Sequence, residues 1–251
     1  MDLPAVIALF NQTVRAEPIP RPWTPVTRTD RFVRLGGHLD FLLWWSLTAA
    51  AAAEAVADQV AHVRASGRGL LWRVYAFDEP PELPGLLRAA GFVEEESGTL
   101  MFRDLALPFP LVADDAATIS RVRTLAALDD YVAAGDLAFD EDGGWQREAF
   151  AERLADPDLA LFVAHVDGRP AAAGRLDMSV GDVFGYLFGG GVVPAHRRKG
   201  VYRALVAARV AVARARGLKY LCTDARDASR PILQSLGFVP VARQMTWLLT
   251  P

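Results

Sequence analysis

Cysteine is nearly absent from this sequence of 251 residues, since Cys222 is the only one. A single cysteine excludes a disulfide framework and a metal site built on several thiolates. The longest apolar stretch, residues 41–53, includes Ser46 and Thr48. It is also shorter than the about 20 residues that a membrane-spanning helix needs. With no basic-then-apolar signal segment at the start, we expect a cytoplasmic protein without a membrane partner.

Lysine is scarce, and acidic residues are missing from one long segment. Lys199 and Lys219 are the only lysines among 27 basic side chains, and no Asp or Glu lies between Asp182 and Asp224. The segment carries a charge of +8 in a chain of net charge −3, so the remaining residues sum to −11. A cationic segment in an acidic chain predicts a bound anion, and a solvated helix face is the alternative. Because few aromatic residues accompany these charges, we expect no nucleic-acid partner.

The composition is that of a folded chain, with 52% hydrophobic and 23% charged residues. Such a chain buries a core, and its length allows one large domain or two small ones. The sequence Leu-Pro-Phe-Pro at residues 107–110 predicts a linker, because proline interrupts both helices and central strands. We therefore predict two domains, residues 1–106 and residues 112–251.

The two halves resemble each other. Residues 86–93, LLRAAGFV, match residues 232–239, ILQSLGFV, at an offset of 146, and the same offset relates Asp78 to Asp224. Both halves also read as an extended segment, an alanine-rich helix, a glycine, a strand, a short helix and Gly-Phe. A repeat of this kind indicates duplicated structural units. We predict an α/β (α+β) fold in which each half has a mixed, mostly antiparallel sheet flanked by helices.

The halves differ in the turn that precedes the alanine-rich helix. The C-terminal half has Arg197, Arg198, Lys199 and Gly200 there, whereas the N-terminal half has five alanines at residues 49–53. Unpaired N–H groups and the dipole at a helix N-terminus favour anions, and glycine allows the positive φ that brings the backbone close to them. The sequence therefore predicts a phosphate site in the C-terminal half only.

This turn carries a family resemblance. Residues 192–202, VVPAHRRKGVY, resemble the acyl-CoA loop of the GNAT superfamily of N-acetyltransferases, whose pattern is Gln/Arg-x-x-Gly-x-Gly/Ala, and Leu-Gly-Phe follows at residues 236–238. The resemblance covers residues 112–251, and the first half resembles a degenerate member of a tandem pair. It implies acetyl-CoA as cosubstrate and a small-molecule or peptide amine as acceptor. The implied coenzyme-binding residues are Val192, Val193, Arg197, Arg198, Lys199, Gly200, Val201 and Tyr202.

The groups that most often transfer protons in this family are missing. A tyrosine is the frequent general acid, and its position here is Leu233; a glutamate is the frequent base, but residues 186–191 contain no carboxylate. The catalytic residues therefore stay unassigned. The resemblance implies acetyl transfer by direct attack of an amine on the thioester. The alternative is a non-catalytic module that binds or senses acyl-CoA.

Other residues remain candidates, each with a structural alternative. Tyr186 either faces the site or the core, His196 either transfers protons or contacts phosphate or solvent, and Asp224 either acts near the thioester or caps a strand. The acidic run at residues 140–142 either attracts a cationic acceptor or is a solvated loop. We expect Cys222 in the core, no metal, and a monomer or homodimer.

Overall fold

A computed structural model describes residues 1–18, 20, 24–95, 97–110, 117–178 and 183–251. The chain forms two compact units: unit 1 comprises Met1–Met101, Asp224–Arg230 and Pro240–Pro251, and unit 2 comprises Phe102–Thr223 and Pro231–Val239. The units are thus not separated by a single cut in the sequence. The domain boundaries at residues 106 and 112 stay a prediction, and position 112 lies outside the described residues.

Seven α-helices lie in the described part of the chain, together with a π-helical turn, Asn11–Ala16, and a 3-10 turn, Pro194–His196. The helices are α1 (Leu3–Phe10), α2 (Ala49–Ser66), α3 (Leu83–Ala89), α4 (Leu125–Phe139), α5 (Gly144–Ala151), α6 (Val201–Ala215) and α7 (Arg230–Ser235). Thr48 and Thr124 begin α2 and α4 as N-caps, because their hydroxyls accept hydrogen bonds from the N–H groups of Ala51 and Ala127.

Twelve strands are described. They are β1 (Val26–Arg28), β2 (Phe32–Leu35), β3 (Asp40–Trp45), β4 (Leu70–Tyr75), β5 (Val93–Glu94), β6 (Gly98–Asp104), β7 (Thr118–Arg121), β8 (Leu159–Val166), β9 (Arg169–Asp177), β10 (Phe184–Val192), β11 (Tyr220–Ala225) and β12 (Val239–Leu249).

Unit 1 has the strand order β1-β2-β3-β4-β12, with β5 also paired to β12. Its β3 and β4 are parallel and the other pairs are antiparallel. The last strand of the chain, β12, aligns Trp247 with Trp72 of β4. Both indoles are at most 1% exposed, and Trp72 makes edge-to-face contacts with Phe32, Trp45 and Phe92. This aromatic cluster forms the core of unit 1.

Unit 2 has the strand order β11-β10-β9-β8-β7. Only β10 and β11 are parallel among these neighbours. Helices α4 and α6 pack against β8, β9 and β10, and the apolar residues between α4 and the sheet form a second core. The prediction of an α/β fold with mixed, mostly antiparallel sheets is therefore confirmed.

The predicted repeat has a structural counterpart in each unit. Strand β3, helix α2 and parallel strand β4 form one β–α–β element in unit 1, and β10, α6 and β11 form another in unit 2. No helix in the described ranges is long and apolar enough to cross a membrane. Those ranges also hold no group of three His, Cys, Asp or Glu side chains arranged for a metal ion.

Candidate functional site

The turn between β10 and α6 has the backbone of an anion-binding loop. After the 3-10 turn, Arg198 adopts φ 63° and Gly200 adopts φ 84°, and α6 begins at Val201. Two left-handed residues in so short a turn direct successive N–H groups toward one side of the chain. The sequence prediction of positive φ at Gly200 is confirmed.

The first turn of α6 leaves N–H groups open. The N–H of Ala204 donates to the carbonyl of Gly200 at 3.1 Å, so Val201, Tyr202 and Arg203 precede the first hydrogen bond of the helix. No side chain caps α6, whereas Thr48 and Thr124 cap α2 and α4. The N–H groups and the positive end of the helix dipole are thus available to an anion.

The basic residues of the turn divide into two kinds. Arg198 and Lys199 are exposed on the turn. Arg197 is held by protein carbonyls: its Nε donates to Val192 at 3.0 Å and its Nη2 to Ala138 at 3.1 Å. Arg197 therefore ties the turn to the end of β10 and to α4, in addition to any role toward a ligand.

Much of the +8 segment is engaged in structure. Arg209 is 1% exposed, Arg214 donates to the carbonyls of Leu105 and Leu107, and Arg216 pairs with Asp158. The segment is therefore not a uniform basic face: Arg198 and Lys199 at the turn before α6 are exposed, as is Lys219 just before β11.

The parallel strands β10 and β11 stop pairing before they end. Their register runs from Phe184 opposite Tyr220 to Tyr186 opposite Cys222, and then the hydroxyl of Thr223 donates to the carbonyl of Leu187 at 2.9 Å. Beyond this point no strand pairs with that edge of β10 within the described residues, so β10 and β11 separate.

The predicted pair Val192 and Val193 present their backbones differently. The N–H of Val193 donates to Ala171 of the β9 side at 2.9 Å, so it is engaged within the sheet. Because successive N–H groups of a strand point in opposite directions, the N–H of Val192 points away from β9. Of the two, Val192 has the backbone orientation that suits a ligand between β10 and β11.

Three consecutive glycines of β10, residues 189–191, leave space for neighbouring side chains. The β9–β10 register shifts between Phe188 and Gly191, and Gly189 has φ 54°. A Cβ at Gly190 would lie 3.2 Å from the Tyr202 ring, and one at Gly191 would lie 2.7 Å from Phe139. The glycines therefore belong to a bulged strand and not to a dinucleotide fingerprint.

Tyr202 turns its ring inward, against Gly190 of β10 and beside Arg209. Burial lowers the pKa of Arg209, while the hydroxyls of Tyr202 and Tyr131 act in the opposite direction. Burial also raises the pKa of Tyr131, against the field of Arg175 and Arg209. The side chain of Tyr202 thus packs under β10, while its backbone N–H lies in the first turn of α6.

Sequence reasoning missed this polar cluster, in which Tyr131 and Arg209 are buried and Arg175 and Tyr202 are partly buried. The spacing on α6 is the signal that could have revealed this cluster. Arg209 lies four residues after Leu205, so the two share one face of the helix, and both are buried. The apolar residues Val201 and Leu205 mark that face as inward. The charge count alone predicts that Arg209, as a member of the cationic segment, binds an anion or lies on a solvated helix face.

The remaining candidates lie in structural positions. Tyr186 is 3% exposed and stacks on Phe188 at 4.2 Å between ring centroids. Leu233 is 1% exposed, and Cys222 is fully buried as predicted. Asp224, in unit 1, pairs with Arg73 at 3.2 Å.

Two polar candidates lie on loops. His196 is partly exposed in the 3-10 turn, and its Nδ1 is buried without a hydrogen-bond partner. In the acidic run, Asp140 ends α4 with φ 57°, and Asp142 accepts the N–H of Gly144 at 3.0 Å. The geometry thus gives Asp140 and Asp142 local roles in the loop between α4 and α5.

Known proteins share both the motif region and the fold. The profile of the Acetyltransferase (GNAT) family matches residues 125–238. A GCN5-related N-acetyltransferase from Kribbella flavida has a similar structure, with a TM-score of 0.71 and 17% identity over 100% of this chain and 96% of that one. No curated protein matches the sequence.

Two further solved structures have the same fold. A tandem GNAT protein from the clavulanic acid biosynthesis pathway gives a TM-score of 0.61 and 16% identity over 99% of this chain and 95% of that one. A putative GNAT-family acetyltransferase from Novosphingobium aromaticivorans gives 0.58 and 18%, over 90% and 91%. The family profile and the fold agree: residues 125–238 match the Acetyltransferase (GNAT) family, and the whole chain has the fold of these solved structures.

Proposed function

We propose that the chain binds acetyl-CoA at the turn before α6 and transfers the acetyl group to an amine. The observation that carries the proposal is the uncapped start of α6 behind Gly200 at φ 84°, flanked by the exposed Arg198 and Lys199. A diphosphate is the part of coenzyme A that such a nest of N–H groups and cations recognises. Each charged hydrogen bond contributes about 1.5–3 kcal/mol.

The acyl-bearing arm would lie between β10 and β11, where their pairing ends. The N–H of Val192 points into that space and would hold the arm or polarise the acyl carbonyl. The neutral amine nitrogen attacks the carbonyl carbon, the carbon–sulfur bond breaks, and the nitrogen loses a proton while the thiolate gains one. The acceptor is a small-molecule or peptide amine.

Leu233 is buried at the position of the tyrosine that is the frequent general acid in the family. A leucine cannot donate a proton to the leaving thiolate. A thiol has a pKa of about 8.5, so the thiolate is stable enough to leave unprotonated and to take its proton from water afterwards. A dedicated acid is therefore dispensable in this reaction. The second candidate function is acyl-CoA binding without turnover, and the lack of a carboxylate at residues 186–191 favours it.

Gly200→Asp tests the coenzyme site. The aspartate places a negative charge at the start of α6 and caps its N–H groups, so we expect coenzyme A affinity to fall at least tenfold, or by about 1.4 kcal/mol or more. Isothermal titration calorimetry measures the change. Gly67→Asp is the matched control, since Gly67 has φ 65° at the end of α2 in unit 1 and open space around it; its coenzyme affinity should match that of the wild type.

A panel of amines then separates the two candidate functions. Acetyl-CoA consumption that rises with an amine and is lost in Gly200→Asp supports acetyl transfer. Coenzyme binding with no acceleration by any amine supports the binding module. Absence of binding to the wild type contradicts both.

A further inference from the structure

Unit 1 contains a second pair of parallel strands that stop pairing early. The register of β3 and β4 runs from Asp40 opposite Leu70 to Leu42 opposite Trp72, while the strands continue to Trp45 and Tyr75. In unit 2, β10 and β11 likewise pair for three positions and then continue separately. We call the space beyond Leu42 and Trp72 the unit 1 cleft.

Arg15, from the π-helical turn at Asn11–Ala16, fills this cleft. Its Nε donates to the carbonyl of Leu43 at 2.7 Å, and its Nη1 and Nη2 donate to the two carboxylate oxygens of Asp78 at 2.6 and 2.9 Å. Leu43 is the first residue of β3 beyond the paired region. The guanidinium therefore satisfies the backbone carbonyl that the separated strand would otherwise leave open.

The equivalent carbonyl in unit 2 is satisfied differently. There, Leu187 is the first residue of β10 beyond the paired region, and its carbonyl accepts from the hydroxyl of Thr223 on the neighbouring strand. A short hydroxyl on β11 leaves the space ahead of it to another molecule. In unit 1, the long arginine side chain takes that space itself.

The contacts around Arg15 are those of a guanidinium-recognition site. The guanidinium lies 5.2 Å from the Trp45 ring centroid and 5.0 Å from that of Tyr75, and Asn11 accepts from Nη1 at 2.8 Å. A bidentate carboxylate, aromatic faces and a carbonyl match the planar fork of donors, which an ammonium does not reproduce. Arg15 is 4% exposed and Asp78 is 9% exposed.

An open cavity adjoins the site. It has a volume of about 290 Å³, which is room for a small molecule to reach the cleft if Arg15 is removed. Its walls include Asn11, Arg15, Trp45 and Asp78.

We propose that the unit 1 cleft is a guanidinium-binding site whose resident ligand is Arg15, and that this residue replaces a coenzyme arm there. Unit 1 is then closed to acyl-CoA by its own N-terminal segment, and not only by the lack of a basic turn before α2. When the arginine is shortened, the cleft accepts a free alkylguanidinium in its place.

Arg15→Ala with chemical rescue tests this site. Removing Arg15 breaks the ion pair of the buried Asp78, whose Oδ2 also accepts the N–H of Tyr75 at 2.8 Å, so we expect the melting temperature to fall by roughly 10 °C. Ethylguanidinium at tens of millimolar should restore at least half of the loss with a saturable dose dependence, and ethylammonium at the same concentrations should not. In Arg15→Ala/Asp78→Asn the rescue should disappear.

Arg103→Ala is the matched control. Arg103 is also buried, at 2% exposure, but it donates to the carbonyls of Leu107 and Pro108 and forms no ion pair with a carboxylate among the described residues. Its variant should show no preference between the two cations. An unchanged melting temperature in Arg15→Ala, or equal effects of ethylguanidinium and ethylammonium on it, would overturn the proposal.

A second measurement covers the case in which Arg15→Ala does not fold. Arg15→Lys keeps a positive charge beside Asp78 but lacks the fork, so ethylguanidinium should compete with the lysine and raise the melting temperature, whereas ethylammonium should not. A wild-type chain that binds two molecules of coenzyme A would contradict the closed cleft. Because the rescue uses no coenzyme, its result does not depend on the proposed acetyl transfer.

Discussion

Arg198 and Gly200 share a positive φ at the turn before α6, but only glycine adopts it without strain. Arg198 has φ 63°, which costs a residue with a Cβ about 1–2 kcal/mol. Its side chain is exposed, so burial of that side chain does not offset the strain. A charged residue kept in this conformation is consistent with a role toward a ligand.

Arg198→Gly should therefore change stability and binding in opposite directions. We expect the free energy of unfolding to rise by about 0.5–1 kcal/mol as the strain is relieved, while coenzyme A affinity falls several-fold through the lost charge. Denaturant unfolding and calorimetry measure the two effects. Asp167→Gly, at φ 51° in the turn between β8 and β9, is the control and should leave coenzyme affinity unchanged; weaker binding in both variants would contradict the assigned role.

Asp40 gives unit 1 a pH-dependent stability. Burial alone would raise the pKa of Asp40, but hydrogen bonds from His62 and Arg68 and the charge of Arg34 bring it below its usual value. The folded state therefore favours the ionised form. Its contribution to stability is present above the unfolded-state pKa and is lost as pH falls through the lower folded-state pKa.

Asp40→Asn should accordingly lower the free energy of unfolding by about 2 kcal/mol at neutral pH, because charged hydrogen bonds are lost. The difference from the wild type should begin to shrink below about pH 4, where the unfolded chain takes up the proton, and should be lost as pH falls through the lower folded-state pKa of Asp40. Urea unfolding at several pH values measures it. Asp58→Asn, exposed on α2, should differ little from the wild type throughout; a wild-type advantage over Asp40→Asn that grows on acidification would contradict the sign.

Among the elements, β12 connects the end of the sequence to unit 1. It pairs with β4 from Gln244 opposite Tyr75 to Leu249 opposite Leu70. Trp247 is 1% exposed and lies under the guanidinium of Arg88 at 5.1 Å. The core of unit 1 is thus completed by a strand from the C-terminal half of the sequence.

Trp247→Ala should destabilise unit 1 selectively. Loss of a buried indole costs about 3–5 kcal/mol, and hydrogen exchange should show reduced protection in β4 and α3. Trp145→Ala is the control, because Trp145 is 61% exposed and a surface change of this kind stays within about 0.5 kcal/mol. Loss of protection in β8 and β9, with β4 unaffected, would contradict the assignment of β12 to unit 1.

Elements were predictable where the local pattern determines them. The sequence predicts a helix over residues 200–216 and a strand over residues 219–223, and the structure has α6 at Val201–Ala215 and β11 at Tyr220–Ala225. The pairing of β12 with β4 was not predictable, because strand partners far apart in sequence leave no local signal. The same holds for Arg15, whose partners Leu43 and Asp78 are 28 and 63 residues away.

For the whole molecule, the two units share an internal repeat but differ at the turn that we propose binds the coenzyme. Both units keep a β–α–β element with parallel strands. The helix of unit 1 begins with the hydroxyl of Thr48 as its cap, while that of unit 2 begins at the uncapped Gly200. The sequence predicted this asymmetry from the basic turn, and the capping geometry supplies its physical basis.

The central claim is that the open N–H groups at the start of α6 bind the diphosphate of coenzyme A. A crystal structure of the chain with coenzyme A tests it most directly. We predict one coenzyme per chain, with diphosphate oxygens about 2.7–3.2 Å from the N–H groups of residues 201–203 and the arm beside Val192. A coenzyme whose diphosphate lies away from this turn, or in unit 1, would contradict the account.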